Sequence, residues 1–401
     1  QSSLSMVKHN IPASAQLFLR MLDKLSIGHL QLITPQGEHV IFGDSHSLPS
    51  AQLHLHDWRA CGKILRGGDI GFAEALQANW LSTTDLTSLL RLAIRNEATL
   101  EPAIFGGKLA TLWYKIKHWM RPNTRNGSRR NIHAHYDIGN AFYQLWLDRS
   151  WTYSSAIFAG DFSLSLHAAQ QRKYQRIIDT LQLRPGDQVL EIGCGWGGFA
   201  EHAAKLGIRV HGVTISPSQL EVAAQRVASQ QMQDLVKLEL CDYRDLSGQY
   251  DAVVSIEMFE AVGEKFWPSY FACLAARLKP GGKAMVQSIT IQDTRFARYR
   301  SGTDFIQQYI FPGGMLPSPE RFCQQAQRHG LQVTEQYAFG ADYAETLRRW
   351  NKDFVAQREQ ISKLGFDDGF QRIWQMYFAY CEAGFDEGST DVVQFLLQKP
   401  A

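Results

Sequence analysis

The chain has 401 residues, of which 45% are hydrophobic and 20% charged, with a net charge of +2. That length predicts two domains, the composition excludes a disordered chain, and the small net charge gives no bulk signal for nucleic acid. The six cysteines, at 61, 194, 241, 273, 323 and 381, show no short paired spacing. This predicts free thiols in a reducing cytosol and neither a zinc knuckle nor a disulfide framework. No run approaches the ~18 apolar residues of a membrane span and no secretory leader is legible. The expectation is a cytoplasmic protein whose membrane contact, if any, is peripheral.

Residues 1–105 read as a small α+β domain. Leu30–Thr34 and His39–Gly43 flank Pro35-Gln-Gly37, the pattern of a hairpin. Ala51–Asp57 alternates in the strand period. Trp80–Asn96 predicts a helix, with Leu86, Leu89, Leu90 and Ala93 along one face. His54 and His56 have the spacing of one strand face, which is more simply a solvated face than a metal site.

Residues 106–130 read as a basic aromatic linker. Lys108, Lys115, Lys117, Arg121, Arg125, Arg129 and Arg130 occur there with no acidic residue among them. Trp113, Tyr114, Trp119 and Met120 are interleaved. Trp113, Lys115, Lys117, Trp119 and Arg121 are the candidate contacts with an anionic lipid surface, on the inner face of a membrane. A linker packing its tryptophans on the protein, with solvated charges, explains the same letters.

Residues 131–401 read as one catalytic domain. From about 170 onward, strands and helices alternate as in a mostly parallel sheet covered on both faces. Seven strands are predicted: 188–192, 210–215, 236–240, 252–256, 284–290, 331–339 and 392–397. A helical insertion over roughly 342–382 separates the last two. Leu278–Lys283 reads as a structural turn before the fifth strand.

The chemistry begins at Glu191-Ile-Gly-Cys-Gly-Trp-Gly-Gly198, between a strand and a helix. Glycines there let bare backbone approach a nucleotide-like ligand. Gly193, Gly195 and Gly198 fit a dinucleotide site; Gly193, Gly195 and Gly197 fit S-adenosylmethionine. A dinucleotide site carries an acid about 20 residues on. The second strand ends instead in Thr214, Ser216 and Gln219, and Glu191 precedes the glycines, which favours the methyl donor. Asp242-Tyr243-Arg244, after the third strand, reads as an acid and an aromatic for adenine.

Together these motifs resemble the cyclopropane fatty acid synthases and their mycolic acid relatives. The resemblance rests on His135-Tyr-Asp-Ile-Gly-Asn-Ala-Phe-Tyr143, Trp151-Thr-Tyr-Ser154, the glycine run, Val213–Ser216, Met258-Phe-Glu260 and Tyr309–Pro317. It covers residues 125–400. It implies a seven-stranded Rossmann-like SAM-dependent methyltransferase domain with a small N-terminal lipid-binding domain. The implied reaction adds a methyl(ene) group to the cis double bond of unsaturated phospholipid acyl chains. The product is a cyclopropane fatty acid, with bound bicarbonate taking the last proton. A homodimer is suggested by the resemblance alone.

The resemblance places the donor on Tyr153, Ser154, Gly193, Gly195, Gly197, Thr214, Gln219, Tyr243 and Arg244. It places the anion on Glu260 and Tyr343, with the backbone N–H groups of Ser155 and Ile289. Here the sequence departs from the family: Gln287 stands where the family has histidine, and Ser155 where it has cysteine. The cation could therefore end differently, giving a methyl-branched or methylene chain. Glu257, three residues before Glu260, ranks second as a site acid. A small-molecule methyltransferase and a non-catalytic lipid-binding protein remain as readings of other classes.

Overall fold

The computed structural model describes residues 3–7, 10–104 and 138–401. They form two compact units, and neither is contiguous in sequence. The first gathers the described residues up to 104 with 301–310 and 358–387; the second gathers 138–300, 311–357 and 388–401.

In the first unit, β1 (His29–Ile33), β2 (His39–Gly43), β3 (Ser50–Leu55) and β4 (Leu81–Ser82) form a sheet in the order β2-β1-β3-β4. The expected hairpin is β1 and β2, paired antiparallel. Alternation buries Leu30, Leu32, Val40, Phe42, Leu53 and Leu55. The rings of His54 and His56 lie 4.1 Å apart, and His56 Nε2 bonds Ser82 Oγ at 2.7 Å.

The helix expected over 80–96 is shorter. Leu81 and Ser82 pair with β3, and the helix runs Leu86–Arg95 behind an Asp85 cap. Its buried positions are Leu89 and Leu92, while Ala93 is exposed, so the core-facing seam is rotated from the expected one. The helix Arg59–Gln77 was not legible, because Gly62, Gly67, Gly68 and Gly71 interrupt its pattern. It kinks at Gly68, whose φ is 57°.

Each unit is assembled from separate stretches of the chain. Helix Asp368–Asp386 packs on helices Arg59–Gln77 and Leu86–Arg95. Asp69 Oδ2 accepts from Tyr380 Oη at 2.9 Å and from the Phe305 N–H at 3.1 Å. Arg91 and Arg95 pair with Glu387 at 2.8 and 2.9 Å. The end of the predicted insertion thus belongs to the first unit, because its apolar face is buried there.

The second unit is built on β5 (Gln188–Ile192), β6 (Arg209–Thr214), β7 (Val236–Leu240), β8 (Tyr250–Ile256), β9 (Leu278–Ile291), β10 (Gln332–Ala338) and β11 (Thr390–Gln398). Their order is β10-β11-β9-β8-β5-β6-β7, the expected seven-stranded sheet. β11 enters antiparallel between β9 and β10, and the other pairings are parallel. The predicted turn at 278–283 is an irregularity within β9, where its register on β8 shifts. One face packs Tyr270, Phe271, Phe322 and Phe395; the other packs Tyr174, Ile177, Val189 and Phe199. Helices therefore cover both sides, which directs ligands to the carboxyl edge of the parallel strands.

Candidate active site

The glycine turn leaves the C-terminal end of β5. Gly193, Gly195 and Gly197 have φ of 81°, 55° and 91°, a region that side chains resist. The N–H groups of Gly193 and Cys194 both donate to Val213 O at 2.9 Å, fixing the turn beside the end of β6. A Cβ at Gly195 would meet no atom within 4 Å, so the backbone faces open space there. On the strand before the turn, Glu191 is buried, and its Oε1 has no hydrogen-bond partner. Burial pushes its carboxyl up to about 8, opposed by the Lys173 charge. An open glycine turn just after a buried acid with an unpartnered oxygen is a fit for a cationic, nucleotide-like donor.

At the end of β6, Thr214 Oγ1 donates to Gln219 Oε1 at 3.0 Å and accepts the Ser216 N–H at 3.1 Å. Ser216 Oγ caps the helix Pro217–Ser229. The end of β6 adjoins the glycine turn through Val213 O. Asp242 is gripped by Arg244 at 3.0 and 2.8 Å. The Tyr243 ring lies in the core, 5.7 Å from Tyr270 in a T-shaped arrangement.

Tyr153 joins an aromatic cluster that leads from the glycine turn to Tyr343. Its ring lies 5.4 Å from Tyr143, which lies 5.1 Å from Trp196 of the glycine run. On the other side Trp350 is 5.5 Å from Tyr153 and 6.1 Å from Tyr343.

The polar groups expected around an anion converge on a side chain. Ser155 N–H donates to Glu257 Oε2 at 2.7 Å, and Gln287 Nε2 donates to the same oxygen at 2.8 Å. The Tyr343 hydroxyl donates to Glu257 Oε1. Glu260, expected at the centre, instead accepts from Ser288 Oγ at 2.9 Å and from the Ile289 N–H. Glu257 follows β8 with φ 51°, a left-handed turn rare for glutamate. Burial raises the Glu257 carboxyl above its ordinary range, while Lys173 and the three donors oppose the rise. Burial, then the Glu257 charge, pushes Glu260 up to about 8.

Helix Leu166–Leu181 supplies residues the sequence reading missed. Lys173 is fully buried and donates to Ser154 Oγ at 2.5 Å. Burial brings its ammonium down to about 7, opposed by Glu257, Asp148 and Glu191. A sequence signal existed: Ala169, Lys173 and Ile177 fall at i, i+4 and i+8, which puts a lysine on a core stripe. Thr346 and Asp342 pin the same loop: Ala156 N–H donates to Thr346 Oγ1 at 3.2 Å and Phe158 N–H to Asp342 Oδ2 at 3.1 Å. The lipid-contact candidates Trp113, Lys115, Lys117, Trp119 and Arg121 lie outside the described residues.

Residues 123–395 match a family model described as mycolic acid cyclopropane synthetase. The chain belongs to this family. It is 38% identical over 404 residues to the tuberculostearic acid methyltransferase UfaA1 of Mycobacterium tuberculosis, covering 96% of this chain and 91% of that protein. It is 33% identical to the cyclopropane-fatty-acyl-phospholipid synthase of Escherichia coli, covering 80% of this chain and 81% of that one. The crystal structure of the mycolic acid cyclopropane synthase CmaA1, complexed with SAH and CTAB, superposes with a TM-score of 0.63 at 31% identity. That match covers 68% of this chain and 98% of the other. Coclaurine N-methyltransferase, at 18% identity and a TM-score of 0.61, shares the fold; 82% of this chain and 98% of that one are covered. The family makes this protein a SAM-dependent methyltransferase.

Proposed function

We propose that this enzyme methylates the cis double bond of unsaturated phospholipid acyl chains, and that Glu257 removes the proton that ends the reaction. The observation that carries this reading is the convergence of Ser155 N–H, Gln287 Nε2 and the Tyr343 hydroxyl on the Glu257 carboxylate. An acyl chain is the substrate in the names of the family and of its tuberculostearic and phospholipid relatives.

The donor, held over the glycine turn with Glu191, Ser154 and Gln219 nearby, supplies an electrophilic methyl group. An alkene is a weak nucleophile, so the residues must exclude water and fix alignment. Tyr153, Trp350 and Tyr343 provide ring surfaces that suit an alkyl chain and a transient positive charge. Addition to one alkene carbon leaves the cation on its neighbour. One C–H bond must then break, its electron pair quenching the cation and its proton passing to Glu257 Oε1 or Oε2. In this reading the tethered carboxylate takes the place of the bicarbonate that the resemblance implied, since three of the groups expected to hold that ion, the Ser155 N–H, Gln287 and Tyr343, already hold Glu257.

Loss of a proton from a chain carbon gives a methyl-branched alkene; loss from the new methyl group closes a cyclopropane. The UfaA1 likeness, spanning nearly the whole chain, favours the branched product. The Escherichia coli likeness favours the ring. A host expressing this chain and fed methionine with a trideuterated methyl group distinguishes them by lipid mass spectrometry. The branched alkene formed by chain-carbon loss keeps all the label, and the ring loses one deuterium. Purified enzyme should keep its activity after dissolved carbonate is removed, and Glu257→Gln should lower kcat by about 100-fold or more. Activity that collapses without carbonate and survives Glu257→Gln overturns the assignment of the base.

A further inference from the structure

Gln287 is one end of a row of side chains that crosses the sheet. Arg176, on helix Leu166–Leu181, donates from Nη1 to Gln394 Oε1 at 2.6 Å. Gln394 Nε2 donates to Gln287 Oε1 at 3.0 Å, and Gln287 Nε2 donates to Glu257 Oε2 at 2.8 Å. The row follows the register: Gln394 of β11 is the direct partner of Gln287 on β9 and of Tyr337 on β10. The Arg176 guanidinium lies over the Tyr337 ring at 3.9 Å and pairs with Glu335. Gln287 and Gln394 are 0% and 1% exposed, so water cannot replace these bonds.

An amide can turn either end toward a neighbour, and a guanidinium cannot: it only donates. Arg176 therefore forces the Gln394 oxygen toward itself. The Gln394 NH2 must then face β9, which turns the Gln287 oxygen away from Glu257 and its NH2 toward it. The row has one polarity from end to end. It passes the preference of a cation at the sheet's flank to a carboxylate at its carboxyl edge. A flipped Gln287 would set its oxygen against Glu257 Oε2.

We propose that Arg176 and Gln394 are positioning residues of the methyl-transfer site, acting through Gln287 to hold a donor on Glu257. This rests on the reading of Glu257 as the site base. The other groups facing that carboxylate are Lys173 from helix Leu166–Leu181, Tyr343 from helix Gly340–Ala356, the Ser155 N–H, and the negative charge of Glu260. None of them bonds Gln394 or Arg176 among the described contacts, so the relay can be broken without touching them.

The test is a pH titration of the Glu257 carboxyl stretch in the infrared, assigned by its loss in Glu257→Gln, together with the pH profile of kcat/KM. Arg176→Met and Gln394→Leu should move the carboxyl midpoint to higher pH, because a donor is lost. Activity should fall about tenfold below the midpoint and recover above it. Arg176→Lys, which still donates, should restore much of the shift. Glu335→Gln, which keeps an acceptor for Arg176, should leave midpoint and activity unchanged. Unmoved midpoints in both Arg176→Met and Gln394→Leu overturn the relay. So does a shift in Glu335→Gln equal to that in Arg176→Met, which would make Arg176 a surface ion pair. Should Glu257→Gln remain active, the base assignment fails, and the infrared titration still decides whether the relay sets that carboxyl.

Discussion

Two glutamates three residues apart do different things in this molecule. Glu257, in a left-handed backbone turn, points its carboxylate into three donors. A glutamate held at φ 51° costs about 1 kcal/mol or more, and such strain persists where the surroundings over-determine it. Glu260 is held by Ser288 and the Ile289 N–H, and its carboxyl is raised from the usual 4.5 to about 8, first by burial and then by the Glu257 charge. A raised acid binds its proton better folded than unfolded. Its contribution to stability is full below about pH 4.5 and is lost as pH rises through about 8. Glu260→Gln should therefore flatten the fall in Tm across that window, leaving the two proteins alike at its acid end. Thermal melts at a series of pH values measure it, and parallel Tm curves would show that Glu260 does not titrate there. The sequence could name both acids. It could not show which of them the three donors meet, because φ at 257 is set by the exit of β8.

At the scale of the element, the strand–glycine–helix run was legible because each part has a local cause. Apolar Val189, Leu190 and Ile192 make a buried strand, and the glycines take φ values that other residues resist. Gly195 separates ligand space from packing. A Cβ there meets no neighbour within 4 Å, so Gly195→Ala should cost folding only the backbone strain of about 1–2 kcal/mol. It should weaken binding of S-adenosylhomocysteine more than tenfold, as read by calorimetry. Unchanged affinity would move the donor away from the turn. Helix Leu166–Leu181 was harder to read. Its Lys173 and Arg176 look like ordinary charges in a sequence with mean hydropathy of −0.25. Only the packed helix shows that one is buried on Ser154 and the other reaches Gln394 across the sheet.

At the scale of the whole molecule, the chain visits its first unit three times. Removing residues 1–105 would strip helix Asp368–Asp386 of the two helices it packs on. Such a truncation tests folding as much as lipid contact. A cleaner probe is the basic linker, kept in the full chain: neutralising Lys115, Lys117 and Arg121 should weaken binding to anionic vesicles at low salt. The difference should shrink as salt screens the charges over ~10 Å. Equal sedimentation with vesicles at low salt would mean that these charges are merely solvated. No helix among the described residues is long and apolar enough to cross a membrane.

The sequence by itself determined the features whose causes are local. The seven strands follow from apolar runs between turn residues, the donor turn from its glycines, and the family from motifs kept in order along the chain. Tertiary structure alone decided which glutamate the donors meet and where helix Asp368–Asp386 packs. It also decided that Arg176, Gln394 and Gln287 form one row. The first depends on the backbone angle at the exit of a strand. The second depends on which apolar face finds cover. The third depends on the register of β11, which enters between β9 and β10 about 100 residues after β9 and sets Gln394 opposite Gln287. Each is a relation between residues far apart in the chain, and local preference carries no term for it.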